Sequence, residues 1–173
     1  FEEITVFENV FQHTKEMKGK WNEHFKNNHS ITLELACGKG EYSVGLGRMY
    51  PNRNFIGIDI KGNRLWRGAK TALEDGLTNV AFLRTEIDKI NLFFAANEVN
   101  EIWITFPDPQ PQKTRAKARL THIRFLNRYK RFLKNNGYVN LKTDSTSLYE
   151  FTLETLNENK LPIIWETNNL YKN

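Results

Sequence analysis

The sequence predicts an α/β fold: a mostly parallel, doubly wound sheet with helices on both faces. Two observations support this prediction. From about residue 30 onward, short apolar runs alternate with longer amphipathic stretches, and the connections between them are short. Acidic or glycine-containing turns follow the apolar runs. Because ligands bind beyond the carboxyl ends of the strands in such sheets, these turns are where functional residues are expected.

Five apolar runs rich in Ile, Val, Leu and Phe are predicted to be strands. They cover residues 31–35, 54–60, 80–83, 101–106 and 138–142, and a sixth strand is expected at residues 163–166. The stretches between and after them have apolar residues three or four apart, which is typical of helices. Helices are expected at residues 15–25, 41–50, 63–75, 88–96, 119–134 and 148–159. Gly76 ends the third of these as a helix-terminating glycine.

Composition limits the classes of protein that need to be considered. With 173 residues the chain has the size of one domain, and we expect a single domain over residues 1–173 in which residues 1–29 form an arm and a helix. No apolar run is long enough to span a membrane. One cysteine excludes an internal disulfide, and no Cys/His cluster is spaced for a metal. We therefore expect a cytoplasmic protein, a monomer or a homodimer, without membrane or metal partners.

Acidic residues mark the ends of the first four predicted strands. They are Glu34, Asp59, Glu86 and Asp108. Gly38 and Gly40 follow the first strand and allow the backbone and the next helix N-terminus to approach a ligand. Asp59, about 20 residues further on, can accept both hydroxyls of a ribose. The sequence therefore predicts a nucleoside-binding site at this edge of the sheet.

The glycine turn differs from the dinucleotide-binding fingerprint. That fingerprint needs a third glycine where this chain has Glu41, and an acid there would face the pyrophosphate. An acid-lined pocket favours a ligand that carries positive charge and no phosphate. S-adenosylmethionine has a sulfonium, an ammonium, a ribose diol and an adenine, and it is the cofactor that the pattern predicts, bound by Glu34, Gly38, Gly40, Asp59, Glu86 and Asp108.

A basic segment follows the fourth predicted strand. Residues 109–143 contain no Asp or Glu and hold ten Lys or Arg, which are Lys113, Arg115, Lys117, Arg119, Arg124, Arg128, Lys130, Arg131, Lys134 and Lys142. The rest of the chain is net acidic. A concentrated basic field beside an acid at a strand end predicts chemistry on a polyanion, and we expect this segment to bind RNA phosphates.

The loop from Phe106 to Pro111 leaves two nucleobase reactions open. Methylation of an exocyclic amine usually needs an aromatic residue where this chain has Pro111. Methylation of guanine N7 needs no general base, but a nearby carboxylate can bind the base edge and stabilise the positive charge that develops on the purine. Asp108, as the catalytic residue, and Asp144 fit that task. An RNA-binding module without activity is the third alternative.

Several motifs together resemble the bacterial tRNA (guanine-N7-)-methyltransferase family. They lie at residues 33–41, 56–60, 106–109, 119–121, 125–126, 141–144 and 148–150, and the similarity covers about residues 32–151. The resemblance implies a Rossmann-like class I methyltransferase fold, S-adenosylmethionine as cofactor and methylation of a guanosine in the variable loop of tRNA. It also implies contacts to tRNA in the basic segment and at the end of the fifth strand. The expected substrate-binding residues are Gln112, Lys113, Arg115, Lys117, Arg119, Thr143 and Asp144.

The sequence departs from the family pattern at a few positions. Gln112 stands where the family usually has Lys, so we assign that role to the adjacent Lys113. Ala36 replaces the first glycine of the turn, and Glu86 replaces an Asp while it keeps the charge. The family normally continues into a Thr-rich motif and a last strand, and we expect the sheet of this chain to lack that strand.

Overall fold

The computed structural model describes residues 7–12 and 15–171. The described chain is organised around a six-stranded sheet whose strands are β1 (Val10–Gln12), β2 (Ser30–Leu35), β3 (Arg53–Asp59), β4 (Val80–Arg84), β5 (Val99–Thr105) and β6 (Leu133–Lys142). Their spatial order is β1-β4-β3-β2-β5-β6, and every neighbouring pair is parallel. The chain moves outward from β2 through β3 to β4 and then crosses to β5 on the other side of β2. The strand order therefore reverses between β2 and β5, which is where ligands bind in such sheets.

Helices lie on both faces of the sheet, as predicted. They are α1 (Trp21–Phe25), α2 (Glu41–Met49), α3 (Gly62–Glu74), α4 (Ile123–Tyr129) and α5 (Thr146–Glu158), with short 3₁₀ helices at Lys15–Met17, Ile87–Leu92 and Lys113–Ala118. One buried cluster packs α2 and α3 against Phe55 and Phe82. The other contains Trp21, Phe94 and Phe132 and covers the opposite face. No helix in the described ranges is long and apolar enough to cross a membrane.

The helix predicted at residues 119–134 is wrong in its bounds, because α4 covers only its middle. His122 caps α4, since its Nδ1 accepts a hydrogen bond from the Arg124 amide. At the other end, the buried Phe132 carbonyl accepts hydrogen bonds from the amides of Glu98 and Val99. Hydrogen bonding to β5 thus begins at Phe132. Leu133 and Lys134, which were predicted to end the helix, are therefore the first residues of β6.

The sixth strand of the sheet is β1 rather than the segment predicted at residues 163–166. β1 pairs with β4, with Val10 opposite Phe82, although the sequence predicted an irregular arm here. Residues 161–171 contain no strand, and Ile164 and Trp165 are exposed. The helix predicted at residues 15–25 is also divided: Gly19, with a φ of 80°, separates the 3₁₀ helix from α1.

Helix α3 is held unusually close to the turn that follows β2. A Cβ atom added to Gly68 would lie 2.5 Å from the carbonyl oxygen of Lys39 and 2.8 Å from the Phe82 ring. Real Cβ atoms do not approach so closely, and one of the two contacts is rigid backbone. The absence of a side chain at position 68 therefore allows α3 to support the glycine turn directly.

We predict that Gly68→Ala destabilises the protein by about 1–3 kcal/mol, because overpacking outweighs the better helix propensity of alanine. Gly45→Ala in α2 is the matched control, since a Cβ there would meet nothing within 4 Å. That control is expected to gain up to about 1 kcal/mol. Urea unfolding of both variants measures the difference. Equal stability of the two variants would show that α3 does not rest on the turn.

Candidate active site

The turn after β2 has a strained backbone. Ala36, Gly38 and Gly40 have φ angles of 55°, 58° and 67°. Left-handed backbone is accessible to glycine, but it costs about 1–2 kcal/mol at the non-glycine Ala36. The Cys37 amide bonds to the Ile58 carbonyl and so holds the turn against the end of β3. The turn leads directly into the N-terminus of α2.

Glu34 is buried beneath this turn. Its Oε2 accepts hydrogen bonds from the Ser43 amide at 2.9 Å and from the Ser43 hydroxyl at 2.6 Å, and its Oε1 accepts one from the Thr105 hydroxyl at 2.9 Å. The residue that caps α2 is Gly40, which has no side chain to offer. Glu34 therefore takes the place of a capping side chain and also stabilises the positive end of the helix dipole.

Burial raises the pKa of the Glu34 carboxyl above its ordinary value. The hydrogen bonds from Ser43 and Thr105 oppose this shift, because they stabilise the ionised form. The Thr105 hydroxyl lies at the end of β5, immediately before Phe106. One buried carboxyl group thus connects the start of α2 with the strand end that leads to Asp108.

Asp59 fixes the other side of the glycine turn. Its Oδ2 accepts a hydrogen bond from the Gly38 amide, and its Oδ1 accepts one from the Lys61 amide, both at 2.9 Å. Asp59 is 9% exposed, so these bonds determine the plane of its carboxylate. A carboxylate has further acceptor sites on both oxygens. Asp59 can therefore hold the turn and still accept hydrogen bonds from a ligand.

A cavity of about 270 Å³ opens beside Asp59. On the side of the sheet it is lined by Asp59, Ile60 and Glu86, and on the other side by Leu120, Arg124 and Phe125. The second wall belongs to the basic segment that the sequence predicted to bind RNA phosphates. The cavity therefore lies between the ends of β3 and β4 and the chain that follows β5.

An ion pair holds the second wall in place. Arg124 Nη1 lies 2.9 Å from Asp88 Oδ1, and Arg128 Nη1 lies 3.5 Å from the same oxygen. The Arg124 guanidinium also donates to the Lys117 carbonyl and lies 4.3 Å from the centroid of the Phe125 ring. Arg124 thus links the 3₁₀ helix Lys113–Ala118 to the chain after β4.

The loop after β5 places Asp108 at the surface. Asp108 is exposed, and its Oδ1 accepts a hydrogen bond from the Gln110 amide at 3.0 Å. Arg119 Nε donates to the Gln110 carbonyl at 3.1 Å, and its guanidinium lies 4.4 Å from the centroid of the Phe151 ring. Arg119 is only 9% exposed. It therefore supports the Asp108 loop, and its predicted contact with substrate stays a prediction.

The remaining predicted substrate-binding residues occupy two places. The first is the 3₁₀ helix and the residue before it, where four of them are exposed: Gln112, Lys113, Arg115 and Lys117. The second is the end of β6, where the Thr143 hydroxyl accepts a hydrogen bond from the Ser145 amide and Asp144 is exposed. β5 and β6 are neighbours, and the Phe106 amide bonds to the Lys142 carbonyl at 2.7 Å. Asp108 and Asp144 therefore follow the ends of adjacent strands.

The structure places the four acids that were predicted to line one edge of the sheet in three different environments. Asp59 and Glu86 line the cavity, and Glu86 also lies 3.2 Å from Lys89 Nζ. Asp108 lies on the exposed loop that follows β5. Glu34 is turned into the protein, where hydrogen bonds reach both of its oxygens. A direct contact between Glu34 and the cofactor stays a prediction, whereas its contacts to Ser43 and Thr105 are part of the fold.

Comparison with known proteins agrees with this geometry. A family model described as a putative methyltransferase matches residues 28–173. The tRNA (guanine-N(7)-)-methyltransferase of Christiangramia forsetii is 55% identical over the whole chain, which covers 81% of that protein. The protein of the same name from Bacteroides thetaiotaomicron is 54% identical over 90% of this chain, which spans 62% of that relative.

The chain belongs to the tRNA (guanine-N7-)-methyltransferase family.

Solved structures confirm the predicted Rossmann-like class I methyltransferase fold. An antibiotic-related methyltransferase matches with a TM-score of 0.68 and 18% identity over 90% of this chain and 76% of the other. The aminoglycoside resistance methyltransferase NpmB1 matches with a TM-score of 0.63 and 18% identity over 87% of this chain and 71% of the other. At this level of identity the likeness supports the fold alone.

Sequence reasoning missed several residues of this family member's site. Thr105 could have been found, because alternation along β5 places it on the same face of the sheet as Trp103, which pairs with Glu34. No local sequence pattern connects Asp88 with Arg124, which are 36 residues apart in the chain. Their meeting depends on how the basic segment folds back over the end of β4.

We predict that Thr105→Val destabilises the protein by about 1–3 kcal/mol, because it leaves one oxygen of a buried carboxylate without its donor. Thr105→Ser keeps the hydroxyl and is the matched control. The gap in unfolding free energy between the two variants is expected to depend on pH. Urea unfolding over a series of pH values measures it.

The expected sign follows from the raised pKa of Glu34. The folded state holds this proton more tightly than the unfolded state, so the contribution of Glu34 to stability falls as pH rises from the ordinary carboxyl pKa through the raised one. Loss of the Thr105 hydrogen bond raises the pKa further. The Thr105→Val variant should therefore lose more stability than the Thr105→Ser variant as pH rises. A difference in unfolding free energy that stays constant with pH would contradict the proposed effect of Thr105 on the Glu34 pKa.

Proposed function

We propose that this chain transfers a methyl group from S-adenosylmethionine to N7 of a guanosine in the variable loop of tRNA. The observation that carries the proposal is the shared edge of the sheet: the acid-lined cavity, the exposed Asp108 loop and the basic 3₁₀ helix all lie beyond the carboxyl ends of the strands. The names of the relatives support the same reaction and the same substrate.

The cavity fits the nucleoside part of the cofactor. Asp59 has acceptor sites for the two ribose hydroxyls, and Ile60 and Phe125 offer apolar contact to an adenine ring. The lining also includes Glu86 and Asp88, while its Arg124 is paired with Asp88. This balance of charge favours a cationic ligand over a phosphorylated one. When bound, S-adenosylmethionine supplies an electrophilic methyl carbon attached to a positively charged sulfur.

Asp108 is proposed to hold the target guanine. Guanine N7 has an accessible lone pair, so the base would attack the methyl carbon without losing a proton. As the N7–carbon bond forms, the methyl–sulfur bond would break, and the positive charge would pass from the sulfur to the purine. A carboxylate that accepts hydrogen bonds from the N1–H and N2–H₂ edge stabilises that charge more in the transition state than in the ground state. Asp108 is exposed on the loop after β5, and Asp144 follows the neighbouring strand. Both are therefore accessible to a base at this edge.

The basic 3₁₀ helix is proposed to bind the tRNA backbone. Lys113, Arg115 and Lys117 are exposed, and in the described structure the helix follows the Asp108 loop directly. Lysine and arginine on one short exposed element can neutralise successive phosphates, which supplies affinity without reading sequence. The target base and its backbone would then be held by adjoining parts of one segment.

Product identification tests this proposal. The chain is incubated with labelled S-adenosylmethionine and unmodified tRNA, and the modified nucleoside is identified after digestion. We expect N7-methylguanosine in the variable loop, and a fall of about a hundredfold or more in kcat/KM for Asp108→Asn. Asp75→Asn at the exposed end of α3 is the matched control and should keep wild-type activity. N6-methyladenosine would favour the exocyclic-amine alternative, and full activity of Asp108→Asn would remove Asp108 from the mechanism.

A second prediction concerns the basic helix. Replacing Lys113, Arg115 and Lys117 together by Gln should weaken tRNA binding and flatten its salt dependence, by up to about one unit of slope for each phosphate that the variant no longer binds. Lys15, Lys18 and Lys20 are also exposed and precede α1, so the same replacement there is a control of equal charge. Fluorescence anisotropy at several salt concentrations measures both. If the two triple variants give the same slope as the wild type, the helix does not contact phosphates.

A further inference from the structure

Phe106 has an unusual conformation for its residue type. Its φ is +46°, in the left-handed region that a non-glycine residue enters at a cost, and it directly precedes Pro107, which favours an extended backbone at the position before it. The residue is nevertheless 56% exposed. Burial of its ring therefore returns little of the free energy that the backbone costs.

The surroundings of Phe106 hold this conformation in place. The Phe106 amide donates to the Lys142 carbonyl, so the left-handed residue is bonded to the end of β6 directly after β5 ends. Pro107 is buried, and the loop beyond it is fixed by the contacts of Asp108 and Arg119 to Gln110, which has a φ of +46° itself. Strain of this kind persists only where the structure determines it, and it occurs preferentially at functional sites.

A cation lies over the Phe106 ring and also contacts a second aromatic ring. Lys142 Nζ lies 5.5 Å from the centroid of the Phe106 ring and 5.9 Å from that of Tyr42, which belongs to the first turn of α2. An exposed ring next to an ammonium group matches the way in which proteins hold single nucleotides: the base stacks on the ring and the cation binds the phosphate.

We propose that Phe106 is the residue on which the target purine stacks and that Lys142 binds the phosphate of the same nucleotide. This inference rests on the proposed function and adds a base platform to it. The sequence lacked a stacking aromatic at Pro111, and Phe106 supplies one on the other side of Asp108. The purine would then be held by its face on Phe106 and by its edge on Asp108.

The chemistry of N7 methylation gives this platform a second role. The purine becomes positively charged as the reaction proceeds, and the face of an aromatic ring attracts a cation more than a neutral base. The stacking contact between the purine and Phe106 therefore strengthens toward the transition state. Its loss lowers kcat as well as the affinity for tRNA. Leucine has similar bulk and apolar character but lacks the π system, and thus separates this effect from packing.

The test compares Phe106→Leu with Phe106→Trp, using unmodified tRNA transcribed in vitro. We expect Phe106→Leu to lower kcat/KM for tRNA by about tenfold or more, and Phe106→Trp to stay within about threefold of the wild type. Tyr50→Leu, 43% exposed at the end of α2 just before β3 begins, is the control and should behave as wild type. Calorimetry with S-adenosylhomocysteine should give the same affinity for all of these proteins.

Two further variants separate stacking from a structural role. Phe106→Gly relieves the left-handed strain and is expected to be at least as stable as the wild type in urea while it loses activity. Lys142→Gln should lower the slope of tRNA affinity against salt by about one unit, and Lys142→Arg should restore it. A Phe106→Gly variant that is both less stable and inactive would point to a structural role and contradict the proposal.

The failure of this inference can be distinguished from failure of the proposed function. If the wild type forms N7-methylguanosine and Phe106→Leu keeps its kcat/KM, only the stacking assignment is overturned. If the wild type forms no N7-methylguanosine, the proposed function fails. In that case the affinity of Phe106→Leu for tRNA, measured by anisotropy, still decides whether this ring binds RNA, and an unchanged affinity overturns the stacking assignment as well.

Discussion

The buried carboxylate of Glu34 is the interaction on which the rest of the site depends. Glu34 is the penultimate residue of β2. This strand lies between β3 on one side and β5 on the other, where the strand order reverses. An unpaired carboxylate in this position would cost several kcal/mol, so its donors must be kept. One donor residue, Ser43, lies in the first turn of α2, and the other, Thr105, ends β5, 71 residues after Glu34. The glycine turn with α2 and the strand end that leads to Asp108 are therefore positioned by the same group.

The segment that follows Asp108 has two surfaces with different tasks. Leu120 and Phe125 line the cavity, whereas Lys113 and Arg115 are exposed. The pair that holds this wall, Arg124 with Asp88, is solvent-accessible, with side chains 38% and 49% exposed. Such a pair stabilises by less than about 1 kcal/mol. The buried Phe125, which is 3% exposed and packs in the main hydrophobic cluster, therefore contributes more to holding this wall than the ion pair does.

The sequence was sufficient for the four central strands β2 to β5 and for the acids that follow most of them, because both are given by local patterns. Alternation of apolar runs and helices gave β2 to β5 to within about two residues at each end, and Asp59 was placed by its distance from the glycine turn. The helix over residues 119–134 was wrong because pairing of Phe132 with β5 is a tertiary interaction that overrides helix propensity. The inward orientation of Glu34 was not predicted either, although alternation along β5 places Thr105 on the same face of the sheet as Glu34.

The same tertiary contacts reduce the number of basic residues that can bind RNA. The acid-free segment holds ten Lys or Arg, but Arg119 donates to loop carbonyls and Arg124 and Arg128 both contact Asp88. Three of the strongest hydrogen-bond donors are thus used to build the loop and the cavity wall. The charge pattern alone would therefore overestimate the number of phosphate contacts. The internal pairs also explain why a segment without a single acidic residue can pack against the sheet: part of its charge is compensated by Asp88 and by backbone carbonyls.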